Sequence, residues 1–238
     1  MKLKIKPFLL SLTFITTSLI VQAQNDGLKE KKIALNDDLR VVYHVKENNV
    51  KQGSYYIQNI KSSQFYVRGA YTDNKRSGNW YFYNEAGKPE TIYSYQQNKL
   101  AFIDSTLLNK LTITIPGEDK EVSEKSQIPV LLSPIKLFLA EMSNNITIPP
   151  DHFPGNESLP IQIKAAIDVN GITKYFLIYN HNGKPLEQQI KLKRSPFEIE
   201  WAPAVYNKKP VNSEVIINTA INGTAESSDG HRRFRWNN

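Results

Sequence analysis

Cysteine is absent from all 238 residues of the chain. No disulfide can form, so the folded protein must be held together by a hydrophobic core, for which the chain is long enough. A bacterial lipoprotein anchor is excluded for the same reason, because that anchor is built on a cysteine at the cleavage site. The composition is 40% hydrophobic with 12 Tyr and 10 Phe, which is typical of a globular, aromatic-rich protein rather than a disordered one.

Residues in catalytic arrangements are also scarce. The chain has only four histidines, and none has the spacing of a metal-binding pair. They are His44, His152, His181 and His231, of which His152 and His181 are expected in surface loops. No Gly-x-Ser-x-Gly motif and no phosphate-binding glycine loop occurs, and Glu198 with Glu200 is interpreted as a solvated strand edge. We predict no catalytic residue, no metal site and no cofactor.

The excess of positive charge is small once the N-terminal segment is set aside. The chain has 30 basic and 23 acidic residues, and residues 1–23 contain three of the lysines. The remaining net charge of +4 is too mild to indicate nucleic-acid binding, which usually needs a clustered basic face. The tail Asp229–Trp236 is basic and aromatic and could contact an acidic surface, but a frayed terminus is the favoured interpretation.

The N-terminal segment has the pattern of a secretory signal. Lysines precede an apolar run, which a small-residue cleavage site follows; these features are Lys2, Lys4 and Lys6, then Phe8–Val21, then Val21-Gln22-Ala23. The run is shorter than the ~20 residues that span a bilayer. We predict a cleaved signal at 1–23, a mature chain from about Gln24, and a soluble periplasmic or extracellular protein. An uncleaved membrane anchor is the alternative.

Residues 24–115 contain a spaced aromatic repeat. The recurring pairs are Gly53-Ser54-Tyr55 with Gly78-Asn79-Trp80, and Tyr71–Lys75 with Tyr95–Lys99. Turn residues separate β-prone runs, so we predict short antiparallel hairpins, with Gly87 at positive φ. The aromatic side chains could form a ligand-binding face or pack the sheet. Packing against neighbouring units is the favoured interpretation, because repeat units bury their aromatic residues that way.

One unit of this region resembles the MORN-repeat variants of bacterial proteins, whose pattern is Gly-x-Trp-x-x-Tyr followed by Gly-Lys. The matching residues are Gly78, Trp80, Tyr83, Gly87 and Lys88. The resemblance covers about residues 45–100. It implies a region of antiparallel β-repeats.

A charged, aperiodic segment at 116–127 predicts a linker, and a second unit is expected at 128–221. Ser133-Pro134 has the form of a helix start, with serine as N-cap and proline at the first helical position. The apolar residues that follow fall on one helical stripe: Ile135, Phe138, Leu139 and Met142. This pattern predicts a short amphipathic helix that ends near Asn144.

The rest of the second unit is predicted as a hairpin, a helix or loop, and a final strand. Alternation from Ile161 to Val169, the turn Asn170-Gly171 and a second apolar run to Tyr179 predict the hairpin. Pro185–Arg194 is interpreted as a helix or loop. In the final strand, Val211–Ile221, one set of positions is apolar: Val211, Val215, Ile217 and Ile221. Residues 222–238 are predicted as a flexible tail.

Three landmarks in the second unit resemble the TonB C-terminal domain, over about 133–221. They are the helix and Asn-Ile step at Leu137–Pro149, the turn Asp168–Gly171, and the segment Trp201–Val211 before the last strand. The resemblance implies that the domain binds a short segment of an outer-membrane receptor as a strand added to its sheet edge. We predict partner-binding residues on the edge of the final strand: Asn212, Glu214, Ile216 and Asn218. The alternatives are that another strand forms the edge, or that the repeat region or the tail from Asn222 covers it.

The predicted fold class is therefore α+β, with a β-hairpin repeat region followed by a small TonB-like α+β domain. The predicted function is that of an exported, non-enzymatic binding or adaptor protein of the bacterial envelope. Its partner is a protein or peptide, with no nucleic acid and no transmembrane anchor after signal cleavage. Active energy transduction is not expected, because the family's transducers keep a membrane helix and a long proline-rich spacer. The alternative is a structural, envelope-associated repeat protein with no transport role.

Overall fold

Strands dominate the computed structural model, which describes residues 27–116, 120–152, 158–193, 197, 199–223 and 234–237. Strand accounts for 56% of the described residues and helix for 10%, and the sheets are antiparallel. The predicted α+β class is therefore wrong, and the fold is mostly β. The predicted signal at 1–23 lies outside the described residues. No described helix has both the length and the apolar character that a membrane crossing requires.

The first sheet is a meander in which each described strand pairs antiparallel with the next one in the chain. Its strands are β1 (Lys29–Ala34), β2 (Leu39–Val45), β3 (Lys51–Asn59), β4 (Phe65–Thr72), β5 (Lys75–Tyr83), β6 (Pro89–Ser94) and β7 (Lys99–Ile103). Asp73 and Asn74, with φ of 48° and 66°, form a tight turn because both residue types tolerate positive φ. Gly87 has a φ of 71°, which confirms its predicted conformation.

Trp80 lies in the core of the first sheet and is only 1% exposed. Its ring centroid lies 5.1 Å from that of Tyr55 and 5.3 Å from that of Tyr71, and its Nε1 donates to the carbonyl of Ala70 at 3.2 Å. A side chain at Gly69 would interfere with this packing, because a Cβ there would lie 2.3 Å from the indole. The aromatic residues around Trp80 thus pack against one another and against the neighbouring strand.

The remaining elements follow in chain order. They are α1 (Ser105–Leu108), β8 (Leu111–Thr114), α2 (Lys120–Lys125), β9 (Val130–Leu131), α3 (Ile135–Ser143), a 3-10 turn at Pro150–His152, β10 (Ser158–Ile167), β11 (Thr173–His181), β12 (Lys184–Ile190), β13 (Trp201–Ala202), β14 (Ala204–Tyr206), β15 (Lys209–Val211), β16 (Ser213–Gly223) and β17 (Phe234–Asn237). The second sheet has the described order β12-β11-β10-β16-β17, and β8 also pairs with β16. Two short ribbons join β9 to β13 and β14 to β15. α2 lies inside the segment predicted as a linker.

α3 packs against the second sheet. Phe138, Leu139 and Met142 are buried in one core cluster with strand residues such as Ile163 and Leu177. The predicted apolar stripe is therefore confirmed, and its 3.6-residue period explains why a helix forms here.

The start of α3 is fixed by the first sheet rather than by its own sequence. Ser133 is not the N-cap that the sequence predicts. Pro134 holds that position without a side-chain hydrogen bond, and the backbone N–H of Ile135 donates to Oε1 of Glu90 at 2.6 Å. Glu90 lies on β6 and is only 4% exposed. Burial raises the pKa of its carboxyl group, and the hydrogen bond from Ile135 partly offsets that effect.

A strand occupies most of the segment Pro185–Arg194, where a helix or loop is predicted. Asn182 and Gly183 have φ of 51° and 74°, which is the geometry of a two-residue type I′ turn. This turn sends β12 back along β11. Proline is favoured at the first position of a helix, but it is also typical of the first residues of an edge strand.

The two predicted regions bury side chains against each other. Val130, Leu132 and Leu137 of the second region belong to the same buried cluster as Trp80 and Phe82 of the first sheet. Because apolar burial is the main favourable term in folding, this shared cluster couples the stability of the two regions.

Arg76 adds a polar connection between the regions. Its Nη2 donates to Oε1 of Glu200 at 2.9 Å, and its Nη1 donates to the hydroxyl of Tyr95 at 2.6 Å. The guanidinium carbon lies 4.4 Å from the centroid of the Trp80 ring, within the range of a cation–π contact. Glu200 is therefore an ion-pair partner of Arg76, whereas Glu198 lies outside the described residues.

Candidate binding site

The final strand is an internal strand of the second sheet, so the prediction that it forms a sheet edge is wrong. On one side, β16 pairs with β10 from Ser213 to Asn222. On the other side, it pairs with β8 over Glu214–Ile217 and with β17 over Ala220–Gly223. β17 lies within the segment predicted as a flexible tail. Strand addition along most of β16 is therefore blocked by segments of the same chain.

The four predicted partner-binding residues lie on or beside β16. They alternate with its buried residues, so their side chains lie on the other face of the sheet. Asn212 and Asn218 are exposed, and Glu214 and Ile216 are half-buried. Asn218 also accepts a hydrogen bond through Oδ1 from Nε2 of Gln162 on β10, at 2.9 Å. A partner could reach these side chains only from the face of the sheet and not through the backbone of its edge.

β12 is an open edge of the second sheet. It pairs with β11 on one side, and no other strand of the described residues pairs with its second side. The two-residue turn makes His181 and Lys184 a hydrogen-bonded pair, so the even-numbered residues of β12 bond to β11. Glu187 and Gln189 then direct their N–H and C=O groups away from the sheet. Pro185 has the same orientation but lacks a donor.

Polar and apolar side chains alternate on the sheet face beside this edge. Nζ of Lys164 lies 2.8 Å from Oε1 of Glu187 and 4.7 Å from the centroid of the Phe176 ring. Ile178 is the β11 residue opposite Glu187 and is half-buried. A strand added to β12 would therefore meet this mixed face as well as the free backbone groups.

Two histidines meet near the turn that begins β12. The rings of His152 and His181 stack with centroids 3.8 Å apart, although sequence analysis treats them as separate loop residues. Nδ1 of His152 lies 2.9 Å from the hydroxyl of Tyr179; burial and the charge of Asp151 raise the pKa of that hydroxyl. No local pattern indicates this pair, because the two histidines come from different elements.

Among the described residues, no group of three or more His, Cys, Asp or Glu side chains is placed to hold a metal ion. His44 contacts Ser54, with 3.1 Å between Nδ1 and Oγ, and His231 lies outside the described residues.

The aromatic cluster of the first sheet encloses only a small space. A cavity of about 90 Å³ is lined by residues that include Tyr55, Trp80, Leu132 and Phe197. Pockets that hold small molecules are typically several times larger. Between this cavity and the open edge of β12, the edge is therefore the better candidate for a functional site.

The fold is a mostly antiparallel β protein. Within the described residues, β12 is an open edge of the second sheet, and β1 and β7 are the edges of the first. Comparison with protein-family models, curated proteins and solved structures finds no match. The resemblances to the TonB C-terminal domain and to MORN-repeat variants stay predictions.

Proposed function

We propose that this chain is an exported, non-enzymatic binding or adaptor protein of the bacterial envelope. In this proposal, the β12 edge captures an extended segment of a protein partner by strand addition. The observation that supports it is the open edge, where Glu187 and Gln189 direct backbone donors and acceptors away from the sheet. Such groups supply affinity through main-chain hydrogen bonds, while alternate side chains of the partner supply specificity.

A proline substitution at the edge tests this proposal. Gln189→Pro removes one outward N–H without removing a hydrogen bond to β11, so the melting temperature should change little. The probe is a capped peptide of alternating threonine and valine, about eight residues long, within the usual length of a strand. We expect fluorescence anisotropy to show binding to the natural chain and loss of binding to Gln189→Pro.

Gln189→Ala is the matched control, because it removes the same side chain and keeps the N–H. It should bind the peptide as the natural chain does. Hydrogen exchange should show protection of the Glu187 and Gln189 amides when the peptide is bound. Peptide binding that survives in Gln189→Pro would place the contact elsewhere and refute strand addition at β12.

Export has a separate test. Intact-mass measurement of the protein recovered from cells should give a chain that starts at or near Gln24. A mass that includes residues 1–23, together with recovery in the membrane fraction, would favour the uncleaved anchor.

The alternative is a structural, envelope-associated repeat protein, and one observation favours it. The second region shares a buried cluster with the first sheet through Leu132 and Leu137, as expected of a unit that packs on the repeats. If no strand-forming peptide binds the natural chain, and the chain sediments with envelope fragments, this alternative is the better one.

A further inference from the structure

The β12 edge carries an excess of positive charge. Three exposed lysines lie at its two ends: Lys184, Lys191 and Lys193. Glu187 is the single acidic residue between them, and Lys164 already neutralises it at 2.8 Å. None of the three end lysines forms an ion pair with another residue of the described chain. The side chains along this edge therefore carry a net positive charge.

The backbone around these lysines is held in place. Lys184 follows the two-residue turn and is paired with His181. Beyond the strand, the N–H of Lys193 donates to Oδ1 of Asn145, near the end of α3, at 2.9 Å. Lys184 and Lys191 are thus separated by the length of β12, roughly 23 Å for seven residue steps. The positive charges therefore lie at both ends of the open backbone.

A second copy of the same edge is a poor occupant for this site. Antiparallel pairing of β12 with itself would bring lysines of one copy close to lysines of the other, and like charges oppose pairing. Lysine and proline on an edge are common devices against such self-association. An acidic strand does not meet this repulsion.

We infer that the β12 edge selects an extended partner segment with acidic side chains near both of its ends. This inference rests on the proposed strand addition and specifies the chemistry of the partner. The acidic ends would pair with Lys184 and with Lys191 or Lys193, while the backbone between them bonds to Glu187 and Gln189. Since these ion pairs are exposed, they should contribute selectivity more than affinity.

Three capped peptides test the inference on the full chain. They share the alternating threonine–valine sequence and differ only at the ends, which carry glutamate, glutamine or lysine. At about 0.02 M salt the glutamate peptide should bind about 2–30-fold more tightly than the glutamine peptide, the range for two exposed ion pairs. The lysine peptide should bind more weakly than the glutamine peptide. About 0.5 M salt should remove most of the difference.

Charge reversal at the edge provides the decisive comparison. Reversal of all three end lysines, Lys184→Glu with Lys191→Glu and Lys193→Glu, should invert the order of the glutamate and lysine peptides. The matched control reverses three exposed lysines of the first region, Lys75→Glu with Lys88→Glu and Lys99→Glu, and should keep the original order. These substitutions lie on the surface, so both variants should keep the natural melting temperature.

The outcomes separate this inference from the proposed function. Equal affinity for the three peptides, with all binding lost in Gln189→Pro, would support strand addition and overturn the acidic preference. Inversion of the order by the control variant as well would show a general effect of net charge and would also overturn the preference. If none of the three peptides binds, or if binding persists in Gln189→Pro, the proposed function and the acidic preference are both overturned.

Discussion

Trp80 is the side chain on which the core of the first sheet depends most. It is buried among Tyr55, Tyr71, Tyr95 and Arg76. Trp80→Ala should therefore lower the free energy of unfolding by about 3–5 kcal/mol, the usual cost of emptying a large aromatic site. Urea denaturation measures this change. Unchanged stability together with lost ligand binding would instead make Trp80 part of a binding site.

Gly69 should be intolerant of even one added methyl group. Gly69→Ala would place a Cβ 2.3 Å from the Trp80 indole, and overpacking of this kind typically costs about 1–3 kcal/mol. In a Trp80→Ala background the same substitution should cost much less, because the space is then empty. A double-mutant cycle by urea denaturation measures the coupling. Additive costs would show that contact with the Trp80 indole is not what makes Gly69→Ala destabilising.

Glu90 should make the stability of the chain depend on pH. Its ordinary pKa is 4.5, and burial raises it in the folded state, so the folded chain holds this proton more tightly than the unfolded chain does. The free energy of unfolding should then decrease as the pH rises from about 4.5 through the raised value.

Glu90→Gln should remove this contribution, while its amide oxygen can still accept from Ile135. Urea denaturation between about pH 4 and pH 8 should give a flatter dependence for the variant. Glu47→Gln, at an exposed position, should leave the natural curve unchanged. An equally steep dependence in Glu90→Gln would assign it to another group.

At the scale of elements, the alternation of β16 is the clearest agreement between sequence and structure. Val215 is 0% and Ile217 is 2% exposed, as the pattern predicts for the core-facing positions. Val215→Asp or Ile217→Asp would bury an unpaired carboxyl group. Each should lower the free energy of unfolding by at least about 4 kcal/mol, which is exceptional for one substitution.

Asn218→Asp is the matched control on the same strand. Its side chain is exposed and can still accept from Gln162, so the change in stability should stay within about 0.5 kcal/mol. Circular dichroism melting curves of the three variants would test the contrast. A tolerated Val215→Asp would mean that this face of β16 is not part of the core.

At the scale of the whole molecule, the shared cluster predicts that the two regions unfold together. Leu132 belongs to the second region but is buried with residues of the first sheet. Calorimetry of the full chain should therefore show one transition, with equal calorimetric and van't Hoff enthalpies.

Leu132→Ala should move that single transition to lower temperature without splitting it, at a cost of about 2–4 kcal/mol. Phe102→Ala, at a largely exposed apolar position, should have little effect. Two separate transitions in the natural chain would show that the shared cluster contributes little and that the regions are independent domains.

Sequence patterns identified the features that depend on near neighbours in the chain. The stripe of α3, the inward face of β16 and the positive φ of Gly87 all follow from spacing or from one residue type. The candidate site did not follow in this way. Asn182-Gly183 is the same turn signal as Asn170-Gly171, and giving it equal weight would have predicted β12 as a strand.

The sequence by itself thus determined where polar and apolar residues alternate, where the chain turns, and which face of a strand or helix is buried. Only the tertiary structure decided which strand is an edge. The alternation of β16 shows only that one face of the strand is buried. An edge strand and an internal strand with one exposed face have the same pattern. β8 comes from a distant part of the chain and β17 follows β16 in sequence, and together they cover most of its second side. Pairing between residues far apart in sequence leaves no local signal, so the sequence did not show that β8 covers β16 or that β12 is an open edge.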